Sequence, residues 1–115
     1  MNWKKLLDAL TIVESRGDFH AVGDNGLAVG VLQCHPDVVT DVNTIYGLYF
    51  KFEDRLDIWR SRIICVLYTS HYCRFDRINR EPTSQDYALC WHYGPDYKLG
   101  IDPDGYWDKV RVHIN

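Results

Sequence analysis

The stretch IVESRGDFHAVGDNGLAVGVLQ, residues 12–33, decides how the chain is read. It begins inside an amphipathic helix predicted over residues 3–15. At about 100° per residue, Trp3, Leu6, Leu7, Leu10 and Val13 share one face of that helix. Asn2 is the expected N-cap and Gly17 lies near the C-terminal stop. Glu14 falls between Leu7 and Leu10 on the wheel, where an apolar residue belongs. Residues 18–33 then carry Gly23, Gly26 and Gly30 with an Asn25-Gly26 pair. Asn-Gly favours a tight turn with positive φ, so this part reads as a loop or a small β-hairpin.

A carboxyl group on an apolar face loses hydration, which disfavours its charged form. The C-terminal end of a helix carries partial negative charge and disfavours the anion again. Both effects favour a protonated acid near neutral pH, the state a general acid needs. The plainer alternative is a Glu14 paired with Arg16, Lys4 or another cation, or a helix that frays before it.

Outward from this stretch the pattern is mostly helical. Pro36 is placed to open a second helix that Gly47 ends. A long helix is expected over residues 53–75, with Leu56, Trp59, Ile63 and Leu67 pointing inward. Thr83 with Asp86 three residues later forms a capping pattern. The helix it starts runs to Tyr93 and stops at Gly94-Pro95. Asp102–Gly105 is turn-rich, and Tyr106–Ile114 is a last short helix. The expected fold class is mainly α (α+β), one domain over residues 1–115, with a short hairpin region after the first helix.

Composition narrows the function. The net charge is −3 over 115 residues, so there is no global basic footprint for nucleic acid. No run of 18 apolar residues is present to span a membrane. The N-terminal MNWKKLLDALTIVES lacks an uninterrupted apolar segment, because Asp8 breaks it, and reads as a helix of the mature domain rather than a signal peptide. Without an export signal, Cys34, Cys65, Cys73 and Cys90 are expected as free, buried thiols, two disulfides being the alternative. Cys34-His35, His71-x-Cys73 and Cys90-x-His92 lack the spacing of zinc ligands. Asp102-Pro103-Asp104-Gly105 lacks the closing Glu of a calcium loop and reads as a plain turn. Lys4, Lys5, Arg74, Arg77 and Arg80 are read as a solvated face, with steering of an anionic polymer as the alternative.

Four segments in order carry a family resemblance. Val13-Glu14-Ser15-Arg16 resembles a Glu-Ser motif at a helix end. GLAVGVLQCHP, residues 26–36, is similar to Gly-x-Ala-x-Gly-Leu-Met-Gln followed by proline, with Gly26, Ala28, Gly30, Gln33 and Pro36 in place. LCWHYGP, residues 89–95, is similar to Ala-Ala-Tyr-Asn-x-Gly-Pro. Tyr106-Trp107-Asp108-Lys109-Val110 resembles Tyr-Val-x-Lys-Val. Together they resemble the lytic transglycosylases with a goose-lysozyme-like fold, and small phage and bacterial members of that group in particular. Trp91, His92 and Tyr93 depart from the pattern, where the family has Tyr, Asn and a small residue.

The resemblance implies a lysozyme-like fold and cleavage of the β-1,4 bond between N-acetylmuramic acid and N-acetylglucosamine in peptidoglycan. Glu14 would be general acid and then base. A hydrolytic muramidase would add a second carboxylate, Asp24 first and Asp18 or Asp37 next; Asp24 is otherwise a turn former. Gln33 would bind the sugar or position Glu14, Ser15 would orient the acid or cap the helix, and Trp91 and Tyr93 would line a groove. His92, an imidazole in place of an amide, makes binding pH-sensitive. No cofactor and no metal are implied. The expected partner is the glycan strand, with no nucleic acid, no membrane insertion and a monomeric chain. The place of action is the bacterial wall, reached by a phage lysin or a virion-borne enzyme, or by a domain of a longer polypeptide. A non-catalytic wall- or chitin-binding module on the same scaffold is the other class considered.

Overall fold

The computed structural model describes residues 1–114. The order is α1 (Trp3–Ser15), β1 (Val22–Gly23), a 3-10 turn (Asp24–Gly26), β2 (Ala28–Val29), α2 (Pro36–Tyr46), a 3-10 helix (Phe52–Leu56), α3 (Ile58–Tyr72), α4 (Phe75–Ile78), α5 (Ser84–Tyr93) and α6 (Tyr106–Arg111). The fold is mainly α with one small antiparallel sheet, β1 paired to β2 with Val22 opposite Val29 and Gly23 opposite Ala28. Among the described residues no helix is long and apolar enough to cross a membrane. The chain forms two compact units, residues 14–68 and Met1–Val13 with the chain from Thr69 onward.

In the unit of residues 14–68 the hairpin is built as its glycines suggested. Asp24, Asn25 and Gly26 all have positive φ, at 50°, 57° and 92°. Short polar side chains and glycine tolerate that region best. The hairpin is held to the 3-10 helix by one side chain. Arg55 donates from Nη1 to the Leu27 and Cys34 carbonyls, both at 3.0 Å, and from Nε to the Phe52 carbonyl at 2.8 Å. Gly30 packs directly on the Arg55 backbone, where a Cβ would collide with the carbonyl oxygen. In α2, Pro36 occupies the first turn and Gly47 ends the helix at φ 65°. Asn43 then anchors the following loop, donating to the Phe50 carbonyl and accepting from its N–H, both at 2.9 Å.

The long helix expected over 53–75 is broken in two places. Asp57 is extended, and its side chain accepts from Arg60 N–H at 2.8 Å, so it caps a new helix. That helix ends at Tyr72, and Phe75–Ile78 form a separate turn of helix ended by Asn79 at φ 61°. The inward face is also different. Leu56, Trp59 and Ile63 are 47%, 73% and 48% exposed and Leu67 is half-buried, while Ser61, Ile64, Cys65, Tyr68 and Thr69 are buried. Apolar residues are spread around α3, so size picks one stripe while packing uses another, which mixes Ile64 and Tyr68 with the small Ser61, Cys65 and Thr69. The last helix stops at Arg111 rather than Ile114.

In the unit of residues 1–13 with 69–114, Leu6, Leu7, Ala9 and Leu10 of α1 are buried, as are Ala88, Leu89 and Cys90 of α5 and Tyr106 and Val110 of α6. Asn2 caps α1 through Lys5 N–H at 3.1 Å. Trp3 packs on Tyr87 with ring centroids 4.6 Å apart. The polar centre of this unit is Asp86, fully buried. It accepts from both Arg80 Nη atoms at 2.8 and 2.5 Å, from Thr83 N–H at 2.8 Å and hydroxyl at 2.9 Å, and from the Tyr97 hydroxyl at 2.8 Å. The Arg80 side chain is 41% exposed, so it stays on the solvated face while its guanidinium neutralises this buried charge. Arg77 is also committed, donating to the Tyr72 and Pro95 carbonyls at 3.0 and 3.1 Å. Burial alone would raise the Asp86 carboxyl, but the bonds from Arg80, Thr83 and Tyr97 outweigh it and hold the group at about 2.

Two predictions follow from these contacts. Gly30→Ala should cost about 2–4 kcal/mol in denaturant unfolding, from strain and collision together. Gly26→Ala, with open space around the added Cβ, should cost only about 1–2 kcal/mol from its positive φ; equal losses would contradict the close approach at Gly30. The Asp86 carboxyl is lower in the folded chain than in the unfolded one, so its stabilisation is present above about pH 4 and lost as pH falls toward 2. Asp86→Asn should lose at least about 2 kcal/mol at pH 7, with the gap to the parent closing across that acid window in pH-dependent urea unfolding.

Candidate functional site

Glu14 and Ser15 are the last two residues of α1. Glu14 is half-buried, as the helical wheel required. Ser15 fixes the helix end: its Oγ donates to the Val31 carbonyl at 2.7 Å and accepts from Gly17 N–H at 3.1 Å. Arg16 at φ 55° and Gly17 at φ 84° then turn the chain away from the helix. Glu14 lies within electrostatic reach of the buried Cys65, whose thiol is driven well up by burial, then by Cys34 and Glu14, against the opposing pull of Arg62. A carboxylate, a guanidinium and an apolar thiol thus share one environment. Lys4, one of the cations considered for Glu14, pairs with Asp8 at 2.7 Å.

Asp24 occupies the hairpin turn in an exposed position and pairs with His35 Nε2 at 2.8 Å. Its positive φ gives it the turn-forming role considered for it. Gln33, at φ 52°, folds back over the hairpin. Its amide nitrogen donates to the Ala21 carbonyl at 3.0 Å and the Gly30 carbonyl at 3.1 Å, and its Oε1 covers Gly23 so closely that a Cβ there would clash. Both amide protons therefore hold the loop that follows Glu14. Asp18 accepts from His20 N–H at 2.9 Å, and Asp37 lies exposed in the first turn of α2.

Trp91, His92 and Tyr93 end α5 in the other unit. Trp91 is half-buried. His92 stacks flat on Tyr106 with centroids 4.0 Å apart and bonds Asp104 at 2.8 Å. The Tyr93 hydroxyl donates to Asp102 at 2.5 Å and accepts from Asp104 N–H at 3.0 Å. Asp102 also accepts from Tyr106 and Trp107 N–H at 2.8 and 2.9 Å, so it fastens the start of α6. Burial opposes its charge, but the Tyr93 hydroxyl and these N–H groups hold its carboxyl below the ordinary value. The turn at 102–105 is thus a capping turn. On its outer side Tyr93 lines a depression of about 290 Å³ with Asp96, Tyr97, Lys98, Ile101 and Pro103.

No protein family, curated protein or solved structure matches the chain.

The sequence singles out Asp86 only as half of a capping pattern with Thr83, and its reading gives Arg55, Asp57 and Arg62 no role. Asp57-x-x-Arg60 was visible as a capping signal inside the supposed long helix, and Asp86 as part of a capping box. The role of Arg55 depends on contacts with Leu27 and Cys34, 28 and 21 residues away, which no local pattern encodes.

The Ser15 tie is the part of this geometry most open to test. Ser15→Ala removes one buried hydrogen bond to Val31 and one to Gly17, and should cost about 1–2 kcal/mol in thermal or urea unfolding. Ser15→Thr keeps the hydroxyl and should recover most of that loss. A wild-type stability for the alanine variant would remove Ser15 as the anchor of the helix end.

Proposed function

We propose that this chain cleaves the β-1,4 bond between N-acetylmuramic acid and N-acetylglucosamine in bacterial peptidoglycan, as a lytic transglycosylase with Glu14 as its acid and base. The observation that carries this reading is the helix end itself. A half-buried carboxylate stands at the last turn of α1, and the adjacent serine fixes that turn to the hairpin segment bearing the Gly26-to-Pro36 motif.

In the reaction, Glu14 gives its proton to the glycosidic oxygen as the bond from C1 breaks, and the muramoyl ring passes through an oxocarbenium-like state. The same carboxylate, now basic, takes the proton of the muramoyl C6 hydroxyl. O6 closes on C1 and forms a 1,6-anhydro ring, so no water and no second carboxylate are consumed. The Asp24 pairing with His35 on an exposed turn supports this route over one that uses Asp24 as nucleophile or base. Gln33 and Ser15 act as positioning residues, because their donors are spent on the Ala21, Gly30 and Val31 carbonyls of the segment that follows α1. Trp91 offers a ring for stacking on sugar. His92 and Tyr93 shape the end of α5, and the depression beside Tyr93 combines apolar walls with Asp96 and Lys98, a mixture suited to a sugar or a short peptide.

Glu14→Gln removes the transferable proton at nearly constant shape. Clearing of purified cell walls should fall by about 10²-fold or more, while sedimentation with intact walls stays as for the parent. Asp24→Asn should keep most of the activity. Undiminished clearing by Glu14→Gln would rule out the catalytic assignment. Wall binding without cleavage by the parent chain itself would make this a binding module.

A further inference from the structure

Of the cations that the sequence suggests as a solvated face, Arg77 and Arg80 stand with Lys98 around a depression of about 320 Å³. It shares Tyr97 and Lys98 with the depression beside Tyr93 and is otherwise a different surface. Ile78, Pro95 and Leu99 supply apolar walls, and among the described residues no carboxylate lines it. The walls are tied together. Arg77 Nη1 donates to the Tyr72 and Pro95 carbonyls at 3.0 and 3.1 Å and so fastens α4 to the loop that carries Lys98. In that loop Tyr97 N–H donates to the Gly94 carbonyl and Ile101 N–H to the Lys98 carbonyl, both at 3.1 Å, so it is built of two linked turns. The three cations differ in what they have left to give. Arg80 spends both Nη atoms on the buried Asp86, which offsets its charge. Arg77 Nη2 lies 4.0 Å from Asp96, beyond hydrogen-bond range, and that carboxylate is fully exposed. Lys98 is exposed, and among the described residues its ammonium has no hydrogen-bond or ion-pair partner.

We propose that this depression binds one phosphate ester group, held by the Lys98 ammonium and the Arg77 guanidinium. The charge left on these two side chains lines a depression with no carboxylate of its own, which selects an anion. The kind of anion follows from the donors. A planar carboxylate is met best by an intact guanidinium fork. Here the Arg80 fork is closed on Asp86, and Arg77 has one arm on backbone carbonyls. What remains is point-like charge from two side chains, which suits the spread oxygens of a phosphate. Ile78, Pro95 and Leu99 take the carbon side of the ester. The surroundings favour a single group over a charged plane. Arg74 is paired with Asp76 at 2.8 Å, Asp96 stands exposed near Arg77, and the net charge of −3 gives no long-range pull toward an anionic surface. A lipid leaflet is typically held by about four to eight clustered cations, more than the two available here. A phosphate ester arrives either on a small molecule or as the phosphodiester of a polymer, and the chemistry at the site is the same. The proposal is independent of the wall-cleaving reading.

The test follows backbone amide and arginine Nε–H signals of the isotope-labelled full chain by NMR. The probes are inorganic phosphate, glycerol 3-phosphate, poly(glycerol phosphate), acetate and phosphatidylglycerol vesicles, with sodium chloride at matched ionic strength as the control. Each soluble phosphate should give saturable shifts at the Ile78, Lys98 and Leu99 amides and at Arg77 Nε–H that chloride does not produce. Lys98→Glu, a change at an exposed position, should weaken phosphate binding by about tenfold or more with the rest of the spectrum unchanged. Lys5→Glu, exposed on α1, should leave binding as in the parent. Tighter binding per phosphate by the polymer supports the site with a polymer as its source, and equal binding supports it with a small ester. Shifts that chloride reproduces, acetate binding as tight as phosphate, binding that survives Lys98→Glu, or vesicle binding with no response to soluble phosphate would each overturn the proposal.

Discussion

One guanidinium organises the segment on which the functional account rests. Arg55 reaches three backbone carbonyls, at Leu27 and Cys34 on either side of β2 and at Phe52 on its own 3-10 helix. A buried carbonyl without a partner costs about 1–3 kcal/mol, so the bond to the partly buried Cys34 carbonyl removes a penalty as well as adding attraction, while the exposed bonds to Leu27 and Phe52 fix position. The close approach this demands leaves room only for hydrogen at Gly30. The hairpin, its glycine and the charge beneath it are one construction.

Glu14 depends on that construction at one remove. A helix end is where backbone carbonyls lack partners and where a chain frays. Here Ser15 attaches the end of α1 to Val31, and Gln33 ties the Ala21 and Gly30 carbonyls into the same loop. Polar side chains that a sequence reader assigns to substrate are used to hold backbone. That use is compatible with catalysis, since a proton donor must stay within a fraction of an ångström of its working position. The second unit follows the same logic: Asp86 gathers Arg80, Thr83 and Tyr97, and Asp102 gathers Tyr93, Tyr106 and Trp107.

What the sequence made legible was local. The bounds of α1, α2 and α5 follow from Asn2, Pro36, Gly47 and the Thr83-Asp86 box, each a signal within four residues of its effect. The hairpin turn follows from Asn25-Gly26. The failures were of a different kind. Apolar residues are spread around α3 with no single dominant face, so Trp59 and Ile63 outweighed Ser61 and Cys65 in a reading by size, and Asp57 went unread as a cap. At the candidate site the half-burial of Glu14 was legible from the wheel. The engagement of His92 with Tyr106 and Asp104, and of Tyr93 with Asp102, was not, because those pairs join residues 9 to 14 apart through a turn.

The central claim is that one carboxylate, Glu14, serves in turn as acid and base without water as a reactant. The mass of the soluble fragments released from purified peptidoglycan tests it most directly. The account predicts muramic acid ends lighter by one water than hydrolytic ends, the signature of a 1,6-anhydro ring. Fragments ending only in free reducing muramic acid would contradict it, and so would walls that release no glycan fragments at all.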